Sequence, residues 1–102
     1  MQKEQILAYL RTAKTRYAKE GVVIEGLFGS YARGDANEGS DVDVLVHVTS
    51  AFAEHYGFSA IERLRHIQEE MSRELGIPVE FADESALGKT GQTFIVEQTQ
   101  YV

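Results

Sequence analysis

Phe28-Gly29-Ser30-Tyr31-Ala32-Arg33-Gly34, followed after a short polar loop by Ser40-Asp41-Val42-Asp43-Val44-Leu45-Val46-His47-Val48, is the stretch on which the fold of this chain turns. In its second half, strand alternation puts Val42, Val44, Val46 and Val48 on one face and Asp41, Asp43, Leu45 and His47 on the other. The valines are expected to be buried, and both carboxylates to project from the same side. Just upstream, Val22, Val23, Ile24, Leu27 and Phe28 form a β-branched and aromatic run that stops at Gly29, which reads as a buried strand. Between the two strands the chain is rich in Gly, Ser, Asp and Asn, and only Tyr31 to Gly34 has room for a helical turn before a loop.

Outward from this centre the pattern becomes helical. Ile6, Leu10, Ala13 and Tyr17, with Leu7 beside them, recur at helical spacing, and Gly21 stands where such a helix would end. Ser59-Ala60-Ile61-Glu62 has the spacing of a capping box, and Ile61, Leu64, Ile67, Met71 and Leu75 continue a helical stripe up to Gly76 and Pro78. Val79-Glu80-Phe81 then makes a brief third strand, with Glu80 facing away from Val79 and Phe81. The tail from Asp83 to Val102 is expected to form a short helix, with Phe94, Ile95 and Val96 in the core. The expected architecture is an α/β fold over residues 1–102, a single domain with a short mixed sheet. The helices that contain Leu10 and Leu64 should pack on the face opposite the carboxylates.

The 102 residues carry 10 Lys and Arg against 16 Asp and Glu, a net charge of −6. That balance argues against long electrostatic tracking of DNA or RNA, which depends on basic residues neutralising phosphates. It favours a bound cation or a basic protein partner. There is no cysteine, so disulfides and thiolate metal sites are excluded. Charged residues interrupt Met1 to Glu20 too often for a signal peptide, and no apolar run reaches membrane-spanning length, so a cytoplasmic protein with no membrane partner is expected.

Nucleotidyl transfer needs a way to hold triphosphate oxygens and a way to neutralise charge as attacking and leaving oxygens exchange. Glycine lets backbone N–H groups approach a phosphate, and a serine opening a helical turn adds a hydroxyl, so Gly29-Ser30 suits the first task. Magnesium takes hard oxygen ligands, typically one or two carboxylates completed by water and phosphate, and Asp41 with Asp43 provides that minimum. A two-metal arrangement calls for a third carboxylate from a neighbouring strand, for which Glu80 is the candidate. Asp83 and Glu84 rank lower because they fall at or beyond the strand end. His47, His55 and His66 lack the spacing of a zinc site, although His47 shares the carboxylate face. Tyr31 reads as a turn residue packing at the surface, near enough to touch a base or ribose. Taken separately, Gly29-Ser30 would be an ordinary turn and Asp41 with Asp43 a solvated strand face; it is their order and interval that point to chemistry.

Gly29-Ser30, ten intervening residues and Asp41-Val42-Asp43 resemble the signature of the DNA polymerase β-like nucleotidyltransferases. More narrowly, Gly29-Ser30-Tyr31-Ala32-Arg33-Gly34 and Ser40-Asp41-Val42-Asp43-Val44-Leu45-Val46, in a chain this short, look like the minimal nucleotidyltransferase family. The resemblance implies contacts from Gly29 and Ser30 to nucleotide phosphates, with Arg33 adding one. It implies magnesium on Asp41 and Asp43, and Glu80 in the third-carboxylate position, where aspartate is the commoner residue. It further implies an antitoxin that transfers AMP from ATP to a tyrosine of a partner HEPN-domain ribonuclease toxin. Two other readings fit the same residues: a binding module that acts without catalysis, and an adenylyltransferase for small molecules.

Overall fold

The computed structural model describes residues 1–102, the side chain of Gln92 excepted. Helix α1 (Lys3–Ala18) leads into β1 (Val22–Phe28), the short α2 (Gly29–Arg33), β2 (Val42–Val48) and α3 (Ser50–Tyr56). A 3-10 turn (Gly57–Ser59) joins α3 to the long α4 (Ala60–Leu75), and β3 (Val79–Asp83), a second 3-10 turn (Glu84–Ala86), α5 (Lys89–Gln98) and β4 (Gln100–Tyr101) complete the chain. The sheet runs in the order β3-β2-β1-β4; β2 and β3 are parallel, and the other neighbours are antiparallel. This is the expected mixed α/β architecture.

The valine face decides the core. Val42, Val44 and Val46 are fully buried, and their register with Ile24 and Leu27 of β1 and Val79 of β3 extends one apolar surface across three strands. Ile6, Leu10, Ala13 and Tyr17 of α1 and Ile67, Met71 and Leu75 of α4 close over it. The apolar stripe of each helix is what the sheet face requires, because neither layer can bury its apolar side alone.

Polar side chains lock the helices together at the rim. Arg16 Nη1 donates to Glu74 Oε1 at 2.9 Å and reaches Glu70 Oε1 at 3.4 Å, while Tyr9 and Tyr17 donate their hydroxyls to Glu74 and Glu70. Just beyond the C-terminus of α1, Glu20 takes two hydrogen bonds from Arg63, at 2.7 and 2.6 Å, and one from Tyr56 at 2.5 Å. Two outward N–H groups of β3 are also satisfied: Val79 donates to Ser72 Oγ and Phe81 to Gln68 Oε1, both at 2.9 Å.

Several sequence expectations are corrected. Ser59 caps nothing; the chain enters α4 through a 3-10 turn that already holds Ser59 in helical conformation, so no extended N-cap residue exists there. Ile61, on the first turn of that helix, is 74% exposed rather than part of the buried stripe. Phe94 is 66% exposed, since α5 does not lie over the valine face, and Ile95 and Val96 are only half-buried. Helix α2 begins at Gly29, two residues before the expected turn, and Asp41 precedes β2 instead of opening it. Strand β1 carries a bulge at Glu25: Ile24 pairs with Val46 and Gly26 with Leu45, leaving Glu25 unopposed. Helix α3, with Phe52 in the core, was not foreseen; its readable mark is Thr49, whose hydroxyl accepts from Phe52 N.

Candidate active site

The site forms where β1 ends and β2 begins. Antiparallel pairing sets Phe28 opposite Asp43, so the turn that follows Phe28 passes directly beside the Asp43 side chain. Gly29 occupies that turn with φ +76°, and a Cβ placed on it would stand 2.1 Å from Asp43 Oδ2. Both the left-handed backbone and the lack of space call for glycine at this position. The Ser30 carbonyl accepts from Gly34 N at 2.9 Å and Asp35 N at 3.0 Å, which closes α2 after little more than one turn.

The polar loop delivers Asp41. Asn37 N donates to Ser40 Oγ at 2.9 Å, Ser40 N returns to Asn37 O at 3.0 Å, and Gly39 N donates to Asn37 Oδ1 at 2.9 Å. Val42 N then bonds Pro78 O at 2.8 Å, which starts the parallel β2–β3 ladder and brings Glu80 level with Asp43. Asp41 and Glu80 are exposed, and Asp43 is half-buried.

The electrostatics tie these groups together. Asp43 is pushed above the ordinary carboxylate range, first by burial and then by the negative charges of Asp41 and Glu80, while Arg33 opposes the shift. Arg33, from the end of α2, donates Nε to Asp35 Oδ2 at 3.2 Å and Nη1 to Gln98 Oε1 of α5 at 3.0 Å. Gly29, Ser30, Arg33, Asp41, Asp43 and Glu80 thus surround one corner of the sheet. The other acidic candidates do not: Asp83 stands opposite Val46 and uses Oδ1 to accept from Ser85 N at 3.1 Å, and the Glu84 side chain is bonded to Glu25. His47 lies toward the far end of β2, paired with Val23. Tyr31 packs partly against the core and lines a cleft of about 490 Å³ with Lys3, Gly34 and Asn37.

The donor set fits a hard cation. It consists of carboxylate oxygens whose mutual repulsion a divalent ion would relieve. Among the described residues no three acidic or histidine side chains converge into a closed metal cage. An octahedral magnesium ion held by one or two carboxylates takes its remaining ligands from water and substrate phosphate. Sequence reasoning missed Gln98, the α5 partner of Arg33, because nothing in a polar residue near the chain end signals a contact across the fold.

The family model for the nucleotidyltransferase domain matches residues 9–102 of the chain. A solved structure described as a "putative minimal nucleotidyltransferase" is 25% identical, with a TM-score of 0.77 over 100% of this chain and 97% of that one. No curated protein matches it.

Proposed function

The chain belongs to the nucleotidyltransferase domain family, and from that premise we propose that it transfers AMP from ATP to a tyrosine hydroxyl of a HEPN ribonuclease toxin. In that role it is the toxin's cytoplasmic antitoxin. The observation that carries the reading is the register that sets Asp43 level with Glu80 while Gly29 presses against Asp43.

Asp41 and Asp43 would hold magnesium, with Glu80 drawn in from the neighbouring strand as the third ligand when the ion binds, and the ion would supply charge neutralisation for the α-phosphate and the leaving pyrophosphate. Gly29 and Ser30 offer backbone N–H groups and a hydroxyl to phosphate oxygens, and Arg33 adds a positive charge beside them. The acceptor oxygen forms a bond to the α-phosphorus, the bond to pyrophosphate breaks, and the tyrosine proton passes to the carboxylate cluster and then to water. A net charge of −6 favours a partner with a basic surface.

The test is transfer of label from α-labelled ATP to a co-purified HEPN partner. Label on a partner tyrosine supports the proposal. Neutralisation without label would support the non-catalytic module, and label on a small hydroxyl compound alone would support the small-molecule enzyme.

A further inference from the structure

Glu25 is the point at which both ends of the C-terminal segment meet the sheet. It is the extra residue of the β1 bulge, so its side chain escapes the strict alternation of the strand. Its carboxyl group lines one pocket with Glu84, the first residue after β3, and pairs with the carboxyl group of that residue, while its carbonyl oxygen accepts from Val102 N at 2.9 Å. The chain between those two contacts comprises the second 3-10 turn, α5 and β4. Within it, Gln98 holds Arg33 of the active site. Over Gly26 the segment runs so close that a Cβ there would stand 2.3 Å from the Gln100 carbonyl oxygen.

We propose that Glu25 is a pH-sensitive clasp: the proton it shares with Glu84 holds residues 84–102 against the sheet, and its loss releases that segment together with its grip on Arg33. Two carboxyl groups can bond to each other only while one of them is protonated; once both ionise, the contact becomes repulsive.

The surroundings keep the proton on the pair near neutral pH. Burial, then the hydrogen bond and charge of Glu84, push Glu25 up to about 7. Lys14 of α1 favours the ionised form while donating to Val102 O at 2.6 Å, and Asp83 of β3 disfavours it. Tyr101 of β4 is itself pushed up, first by burial and then by the charges of Glu25 and Glu84. His47 of β2 and Ser85 share with the pair a pocket of about 360 Å³ through which solvent reaches it.

The sign follows from linkage. A carboxyl group with a raised folded value binds its proton more tightly folded than unfolded, so the contact is fully present below the ordinary carboxylate range and is lost as pH rises through about 7.

Hydrogen exchange on the full chain between pH 5.5 and 8.5 tests this, with protection factors normalised to intrinsic rates and α1 amides as the internal standard. Protection of residues 89–98 should fall by about tenfold or more across the range, the equivalent of one unit of proton affinity. Glu25→Gln and Glu84→Gln, in which an amide donates to the remaining carboxylate, should stay protected at both ends. His47→Asn should keep the wild-type dependence. Constant protection in the wild type, an unchanged dependence in both glutamine variants, or its loss in His47→Asn would overturn the clasp. Its effect on transfer rests on the function proposed above, but exchange does not. Absence of transfer at every pH with the exchange change intact would count against the enzyme and not the clasp.

Discussion

A methyl group on Gly29 would stand 2.1 Å from Asp43 Oδ2, so the turn and the carboxylate occupy one shared space. Gly29→Ala should therefore displace Asp43 as well as strain the left-handed backbone. We expect transfer to drop by about a hundredfold, the scale of a lost transition-state contact. Stability should fall by about 1–3 kcal/mol, from strain and overpacking together. Label transfer and urea denaturation on the same preparation would check both.

Asp41→Asn and Asp43→Asn keep side-chain shape but remove the charge proposed to hold magnesium. Each should lower transfer by about a hundredfold or more while the far-ultraviolet dichroism stays unchanged, and Glu80→Gln should lower it too. Asp43→Asn should be as stable as wild type or slightly more so, because burial and its two acidic neighbours disfavour the native charge. Asp83→Asn should leave transfer intact, since that side chain caps a turn away from the site.

Chelation offers a complementary measurement. With excess chelator, the acidic site repels a triphosphate, and ATP affinity by titration calorimetry should fall sharply from its value in magnesium. Equal affinities would remove the metal site.

The Glu20–Arg63 pair predicts the opposite pH behaviour to the clasp. Arg63, followed by Tyr56, holds the Glu20 carboxyl below its usual range, against the pull of burial. This stabilisation is fully present above the ordinary carboxylate value of about 4.3 and is lost as pH falls through the depressed folded value. Arg63→Gln should cost about 1–2 kcal/mol near neutral pH, less as acid is added, with transfer unaffected. Thermal melts across pH 3 to 7 would show it.

How far the sequence could be read depended on whether two residues or twenty set the outcome. Strand alternation is a local property, so burial of Val42, Val44 and Val46 was legible, as was the common side of Asp43 and Glu80. Helical spacing correctly placed Ile6, Leu10, Ala13 and Tyr17, but it could not tell that Ile61 on the first turn of α4 is left exposed. Phe94 and Ile95 misled because an apolar cluster carries no address, and α5 is held at the C-terminal edge through β4 and Gln98. The Glu25 bulge was not legible, because a run of apolar residues does not show where strand pairing skips a position. Motif spacing pointed to the site residues, yet the fit of Gly29 against Asp43 arises only from the Phe28–Asp43 pairing, which no interval along the chain encodes.

The hydrogen bonds from Val79 to Ser72 and from Phe81 to Gln68 bear on how this molecule meets others. An edge strand ordinarily offers its outward N–H groups as a template for an incoming chain, the route to strand exchange and fibrous growth. Here the neighbouring helix has already spent two of those donors, so an extended peptide would have to displace Ser72 and Gln68 before it could add to the sheet. Recognition at this margin is thereby left to side chains, which choose their partners, and denied to backbone pairing, which does not.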